Sequence, residues 1–113
     1  MFVGLGTPDV VRYTEDTREH EGWYYYKTLW AIAPQYSGEV TITGHQVGGG
    51  SELRFNDGSG FPGTKLTELH FSSSSGGAWR YGPSETLIRA SGCYAFRIEG
   101  EGFVDWVTFI ARD

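Results

Sequence analysis

Three histidines come first, because imidazole both ligates metals and moves protons near neutral pH. Glu19-His20-Glu21 sets three donors side by side. Adjacent residues of an extended chain point to opposite sides, so they cannot all face one ion. His45 and His70 fall on the polar faces of two different expected strands, with Glu68 two residues before His70. Zinc needs ligands converging on one point, and nothing in these spacings brings them together. Surface histidines and no metal cofactor are the expectation.

Asn56-Asp57-Gly58-Ser59-Gly60 resembles the beginning of a calcium loop, but it lacks the terminal glutamate and the full ligand series. Asp-Gly instead supplies the positive φ that a tight hairpin turn needs. Cys93 is the single cysteine, which excludes an internal disulfide and any multi-cysteine zinc site. It follows Ser91-Gly92 with no helix behind it to activate the thiol, and it reads as a small buried residue near a sheet edge. The chain has no Gly-x-Ser-x-Gly elbow and no phosphate-binding glycine loop followed by lysine. No catalytic residue is assigned, and the chain is not expected to be an enzyme.

The aromatic residues say more: seven Tyr, seven Phe and four Trp exceed what one core face requires. Trp23-Tyr24-Tyr25-Tyr26 must send rings to both sides of a strand, and Tyr25 shares its side with Lys27, which suggests solvent. Trp79 and Tyr81 lie two apart, and on the last strand Val104, Trp106, Thr108 and Ile110 face out if Val107 and Phe109 face in. Outward Trp and Tyr form platforms that stack on sugars or anchor a protein partner. Trp23, Tyr25, Trp79, Tyr81 and Trp106 are therefore the candidate contact residues. The competing expectation is that loops or a second subunit cover these rings, since large exposed apolar patches are uncommon on monomers.

The elements that must position these rings follow from composition and periodicity. The 113 residues match one domain, 1–113, with residues 1–22 as an irregular segment packed on it. Seventeen glycines and one methionine argue against a helical bundle, because each glycine weakens a helix interior by roughly 1 kcal/mol. The net charge of −5, with no basic cluster, argues against nucleic acid and anionic lipid as partners. No apolar run approaches the ~18 residues of a membrane span. The opening Met1-Phe2-Val3-Gly4-Leu5-Gly6 has neither a basic start nor a long apolar stretch, so it is not expected to be a signal peptide. The setting is then cytosolic, or a leader has been removed.

Val10 to Tyr13 reads as a short strand, and Thr14 to Glu21 as a solvated, charged loop. From Trp23 onward the pattern has period two. Strands are expected over Tyr24–Ala33, Glu39–Val47, around Leu53 and Phe55, and over Leu66–Phe71, Thr86–Ala90, Cys93–Glu99 and Phe103–Ala111. Pro34, Gly48-Gly49-Gly50, the Ser72–Gly77 loop and Gly100-Glu101-Gly102 separate them. Seven or eight short strands predict an all-β, two-sheet antiparallel β-sandwich. Trp30, Val40, Ile42, Leu53, Phe55, Leu69, Phe71, Ile88, Tyr94, Phe96, Ile98, Val107 and Phe109 are expected on the two inner faces.

Lys27-Thr28-Leu29-Trp30, Tyr36-Ser37-Gly38, Val40-Thr41-Ile42-Thr43-Gly44 and Glu52-Leu53-Arg54-Phe55 add a further signal. It is strongest in Ala90-Ser91-Gly92-Cys93-Tyr94-Ala95-Phe96-Arg97-Ile98, continuing to Gly102-Phe103 and Val107-Thr108-Phe109. Through these segments the chain resembles a family of uncharacterised bacterial secreted proteins and lipoproteins with an immunoglobulin-like β-sandwich. The resemblance spans about residues 1–111. It implies a periplasmic or extracellular setting after leader removal, and it transfers no catalytic or ligand residue. Independently of it, Tyr94 is placed to bury its ring while its hydroxyl bonds the backbone, as a tyrosine corner does.

Three functional readings follow. The first is a non-enzymatic binding module with a glycan or protein partner. The second is a structural domain that self-associates as a homo-oligomer through its aromatic face. A metal-dependent hydrolase using His45, His70 and Glu68 ranks third.

Overall fold

A computed structural model describes residues 3–6, 10–12, 17–75 and 77–112. Tyr13, the Thr14–Asp16 part of the charged stretch and Gly76 of the serine loop lie outside the described residues. The described chain is all β, with ten strands in two five-stranded sheets. The first sheet runs β1 (Val3–Gly6), β4 (Trp23–Ile32), β8 (Arg80–Ile88) and β6 (Leu53–Asn56), with β3 (Arg18–His20) also paired to β4. The second runs β2 (Val10–Arg12), β10 (Phe103–Arg112), β9 (Gly92–Gly100), β5 (Val40–Gln46) and β7 (Leu69–Phe71). Every strand pairing is antiparallel except β2 on β10, which is parallel.

Apart from β8, the period-two segments form strands within about three residues of their expected ends. The segment 1–22 is not irregular throughout. It contributes β1 to the first sheet, β2 to the second and β3 to the charged stretch expected to be loop. Strand β3 carries no apolar alternation because it is short and polar, an edge whose main chain pairs while its side chains stay wet. Strand β8 starts at Arg80 rather than Thr86 and runs through Gly82-Pro83. Proline is tolerated there because β6 stops at the Asn56–Glu85 pair, so that side of β8 calls for no ladder donor at Pro83. Leu66 forms only an isolated bridge to Phe55, and β7 is confined to Leu69–Phe71.

The core lies between the inner faces. Of the expected inward residues, Phe71 and Val107 are partly buried against the core and all the others are buried. Phe96 of the second sheet is the central ring. Its centroid is 5.1 Å from Trp30 and 6.1 Å from Phe55 of the first sheet, and 5.2 Å from Phe109 beside it. Glycine makes room where the two layers meet. Gly82 faces the Phe71 ring so closely that a Cβ there would overlap it. The inner face of the first sheet also carries the hydroxyls of Thr28, Ser84 and Thr86, each hydrogen-bonded within the layer. Thr28 Oγ1 and Thr86 Oγ1 are 2.8 Å apart, and Ser84 Oγ donates to the Thr28 carbonyl at 3.0 Å. Burial pushes the Tyr26 phenol well above its ordinary value, so it stays neutral in this layer.

Tyr94 makes the expected corner: its ring is buried, and its hydroxyl donates to the Ala90 carbonyl at 2.6 Å. Tyr94→Phe is expected to cost about 1 kcal/mol by removing that bond while keeping the ring. Urea denaturation measures it, and a midpoint unchanged within error would show that the bond contributes nothing.

At the rim of the second sheet, β2 pairs with β10 only at Ile110–Arg112, and no described strand pairs with the outer side of Phe103–Phe109. Asp105 shares the inward side of that segment with Phe103, Val107 and Phe109, yet it is exposed.

Candidate functional site

The outer face of the first sheet divides into a covered half and an open half. Trp23, Tyr25, Lys27, Leu29 and Ala31 alternate outward along β4, and register places Leu87, Glu85, Pro83 and Tyr81 of β8 beside the last four. Trp23 and Tyr25 do not reach solvent as expected. Tyr25 is 1% exposed and forms a small second core with Trp23 and Leu87. The loop after β6 covers it, bringing the Phe61 ring edge-on to Tyr25 with centroids 4.9 Å apart. The Arg89 guanidinium lies 4.7 Å from the centre of the Trp23 ring. Both residues therefore leave the set of contact candidates. Tyr24 and Tyr26, their alternates, pack into the main core.

The covering loop is tied down by short polar side chains. Asn56 Oδ1 accepts from the Thr64 amide at 3.1 Å, and Asn56 Nδ2 donates to the Gly60 carbonyl at 2.7 Å. Gly58, at φ 89°, supplies the turn that Asp57-Gly58 predicts. Hydrogen bonding from Ser59, with help from Thr64, holds the Asp57 carboxyl below the usual carboxylate range. The segment is thus a hairpin-derived loop stapled by its own donors.

Where this loop leans over β4 and β8 it leaves a groove of about 440 Å³. Its lining includes Lys27, Leu29, Pro83 and Glu85 of the outer sheet face, with Arg18 and Phe61. Glu85 is buried and held from two sides. Arg18 Nη2 donates to Oε2 at 2.7 Å, and Asn56 Nδ2 donates to Oε1 at 3.0 Å. The same Arg18 guanidinium lies 4.1 Å from the centre of the Phe61 ring. One arginine thus joins β3, β8 and the covering loop. Lys27 stands directly across the ladder from Glu85, but it makes no ion pair among the described residues. The sequence offered no signal for this groove, because its parts are up to 67 residues apart.

Two residues along the outer side of β8 from Pro83 lies the open half. Trp79 and Tyr81 stack with centroids 6.3 Å apart and planes 13° from parallel, and they are 46% and 61% exposed. These two candidates come together. Trp106, 55% exposed, is elsewhere: it lies on the outer face of the second sheet beside Val104 and Ile110, with its ring 5.9 Å from His45.

Cys93 is exposed rather than buried, because Tyr94 takes the inward position and the alternation puts its neighbour outside. The histidines stand apart. His20 is beside Glu21 and Phe61, His45 beside Trp106, and His70 3.6 Å from Glu39. Among the described residues no group of three His, Cys, Asp or Glu side chains is arranged to hold a metal ion.

Comparison with known proteins returns no match: no family model fits the chain, and no curated protein or solved structure is significantly similar to it.

Proposed function

We propose that this chain is a non-enzymatic binding module whose ligand lies along the outer face of the first sheet. The observation that carries this reading is the Trp79–Tyr81 pair, two nearly parallel, stacked and exposed rings at the start of β8, next to a groove of ligand size. Such rings lose little conformational freedom when they are covered, so they convert contact area into affinity efficiently. Among the described groove-lining residues Glu85 is the one carboxylate, and Arg18 and Asn56 hold it as a fixed acceptor. Hydrolysis of a glycosidic bond ordinarily needs two carboxylates on opposite sides of the bond. This supports binding rather than turnover.

The proposed setting is the bacterial envelope, periplasmic or extracellular, within an immunoglobulin-like family. The Gly92-Cys93-Tyr94 resemblance and the Tyr94 corner support it. A glycan array and a pull-down from envelope extract test the binding reading. The expected result is a captured ligand that Trp79→Ala or Tyr81→Ala releases with at least a tenfold loss of affinity, while Trp106→Ala changes it little. Empty results in both assays, or equal loss with Trp106→Ala, count against the reading.

Self-association is the second reading, favoured by one observation: Val104, Trp106 and Ile110 form an exposed apolar row on β10. Its test is sedimentation of the unmodified chain at micromolar concentration.

A further inference from the structure

We infer that the groove beside the ring pair receives an acidic sugar unit, a hexuronate within an oligosaccharide, and that Lys27 holds its carboxylate. This rests on the proposed binding role of the outer face and names the ligand class for it.

Charge comes first. The chain as a whole carries −5, but the described residues of the groove lining set Arg18 and Lys27 against the carboxylate of Glu85, an excess of one positive charge among them. That carboxylate is committed to Arg18 and Asn56, so the cation left over is Lys27. A lysine ammonium is a compact charge with three donors, suited to one carboxylate oxygen or a pair of oxygens on one group. One monoanionic sugar unit seated in the groove matches this excess. A more highly charged phosphate ester would bring further negative charge against Glu85.

Shape comes second. Leu29, Pro83 and Phe61 give the groove apolar walls, and the Trp79–Tyr81 stack continues the same sheet face about 7 Å beyond Pro83. A pyranose ring has an apolar C–H face to lay on such surfaces and hydroxyls around its rim. Glu85 keeps a free lone pair on each oxygen after its two bonds, and so it can accept sugar hydroxyls without moving. An acidic peptide would satisfy Lys27 but has no flat ring-sized face for Tyr81 and Trp79. Among the described residues, the combination of a cation without an ion pair, a fixed hydroxyl acceptor and an exposed aromatic pair selects an acidic sugar chain.

The test is calorimetric titration of the full chain with tetramers of galacturonate, glucuronate and mannuronate, each beside its carboxyl-reduced neutral counterpart. At least one acidic tetramer is expected to bind ten times or more tighter than its reduced form, and the difference is expected to shrink as salt is raised. Lys27→Gln should erase that preference, and Trp79→Ala should weaken both forms together. Lys27 is exposed, so its variant is expected to fold, and a circular dichroism melt checks this. Equal affinity for acidic and reduced tetramers, or an acid preference that survives Lys27→Gln, overturns the assignment and leaves the aromatic binding face standing. Failure of every tetramer to bind also overturns it, and the array and pull-down then judge the broader reading separately.

Discussion

Phe96→Ala is expected to lower the unfolding free energy by about 4 kcal/mol and the melting temperature by on the order of 15 °C. Phe96 is fully buried, and its ring meets Trp30 and Phe55 of the facing sheet as well as Phe109 of its own. Truncation removes the ring's transfer energy and leaves a cavity that two stiff sheets cannot close. It also deletes aromatic contacts worth about 0.5–1.5 kcal/mol each beyond area. Against a total stability of roughly 5–15 kcal/mol, this is a large fraction. Thermal and urea melts followed by circular dichroism check it. A loss below about 1 kcal/mol would mean that the two layers are not joined through this ring.

Asp105→Val is expected to shift the chain toward dimers and larger species at micromolar concentration. The Phe103–Phe109 segment of β10 has an open outer side among the described residues and carries Val104 and Trp106 on its outward face. An open, apolar edge invites pairing with another chain, and a charge placed on the inward side of an edge strand prevents it. Asp105 occupies that position, because a partner strand continuing the sheet would have to bury its carboxylate. Analytical ultracentrifugation of the variant beside the unmodified chain measures the shift, with Asp105→Asn as an intermediate. Identical sedimentation for all three would remove any guarding role from Asp105. If the unmodified chain already self-associates, the structural reading gains what the binding reading loses.

The sandwich was legible in the sequence because its physical cause is local. Val40, Ile42, Ile98 and Phe109 alternate with polar or exposed neighbours, and alternation on that scale survives into the fold. The Tyr94 corner was legible for the same reason, since donor and acceptor are four residues apart. The parts that escaped depend on long-range contact. Tyr25 looks solvent-facing next to Lys27, and only the arrival of Phe61 from 36 residues further on buries it. Strand β3 has no apolar stripe to announce it, and Pro83 disguises the start of β8. Of the candidate contacts, Trp79 and Tyr81 are two residues apart, and that spacing sets their rings side by side. The groove beside them is assembled from β3, β4, β8 and a loop, and no short window of sequence contains it.

The exposed position of Cys93 bears on how the chain can be handled. Its side chain lies on the outer face of the second sheet, paired in register with Ile110, on the side of the sandwich away from Lys27, Tyr81 and Trp79. As the chain's single thiol, it offers one chemically unique point for maleimide coupling to a sensor chip. A layer anchored there would present every molecule with the groove turned toward the flowing analyte, and a dye at the same atom would sit clear of whatever docks opposite.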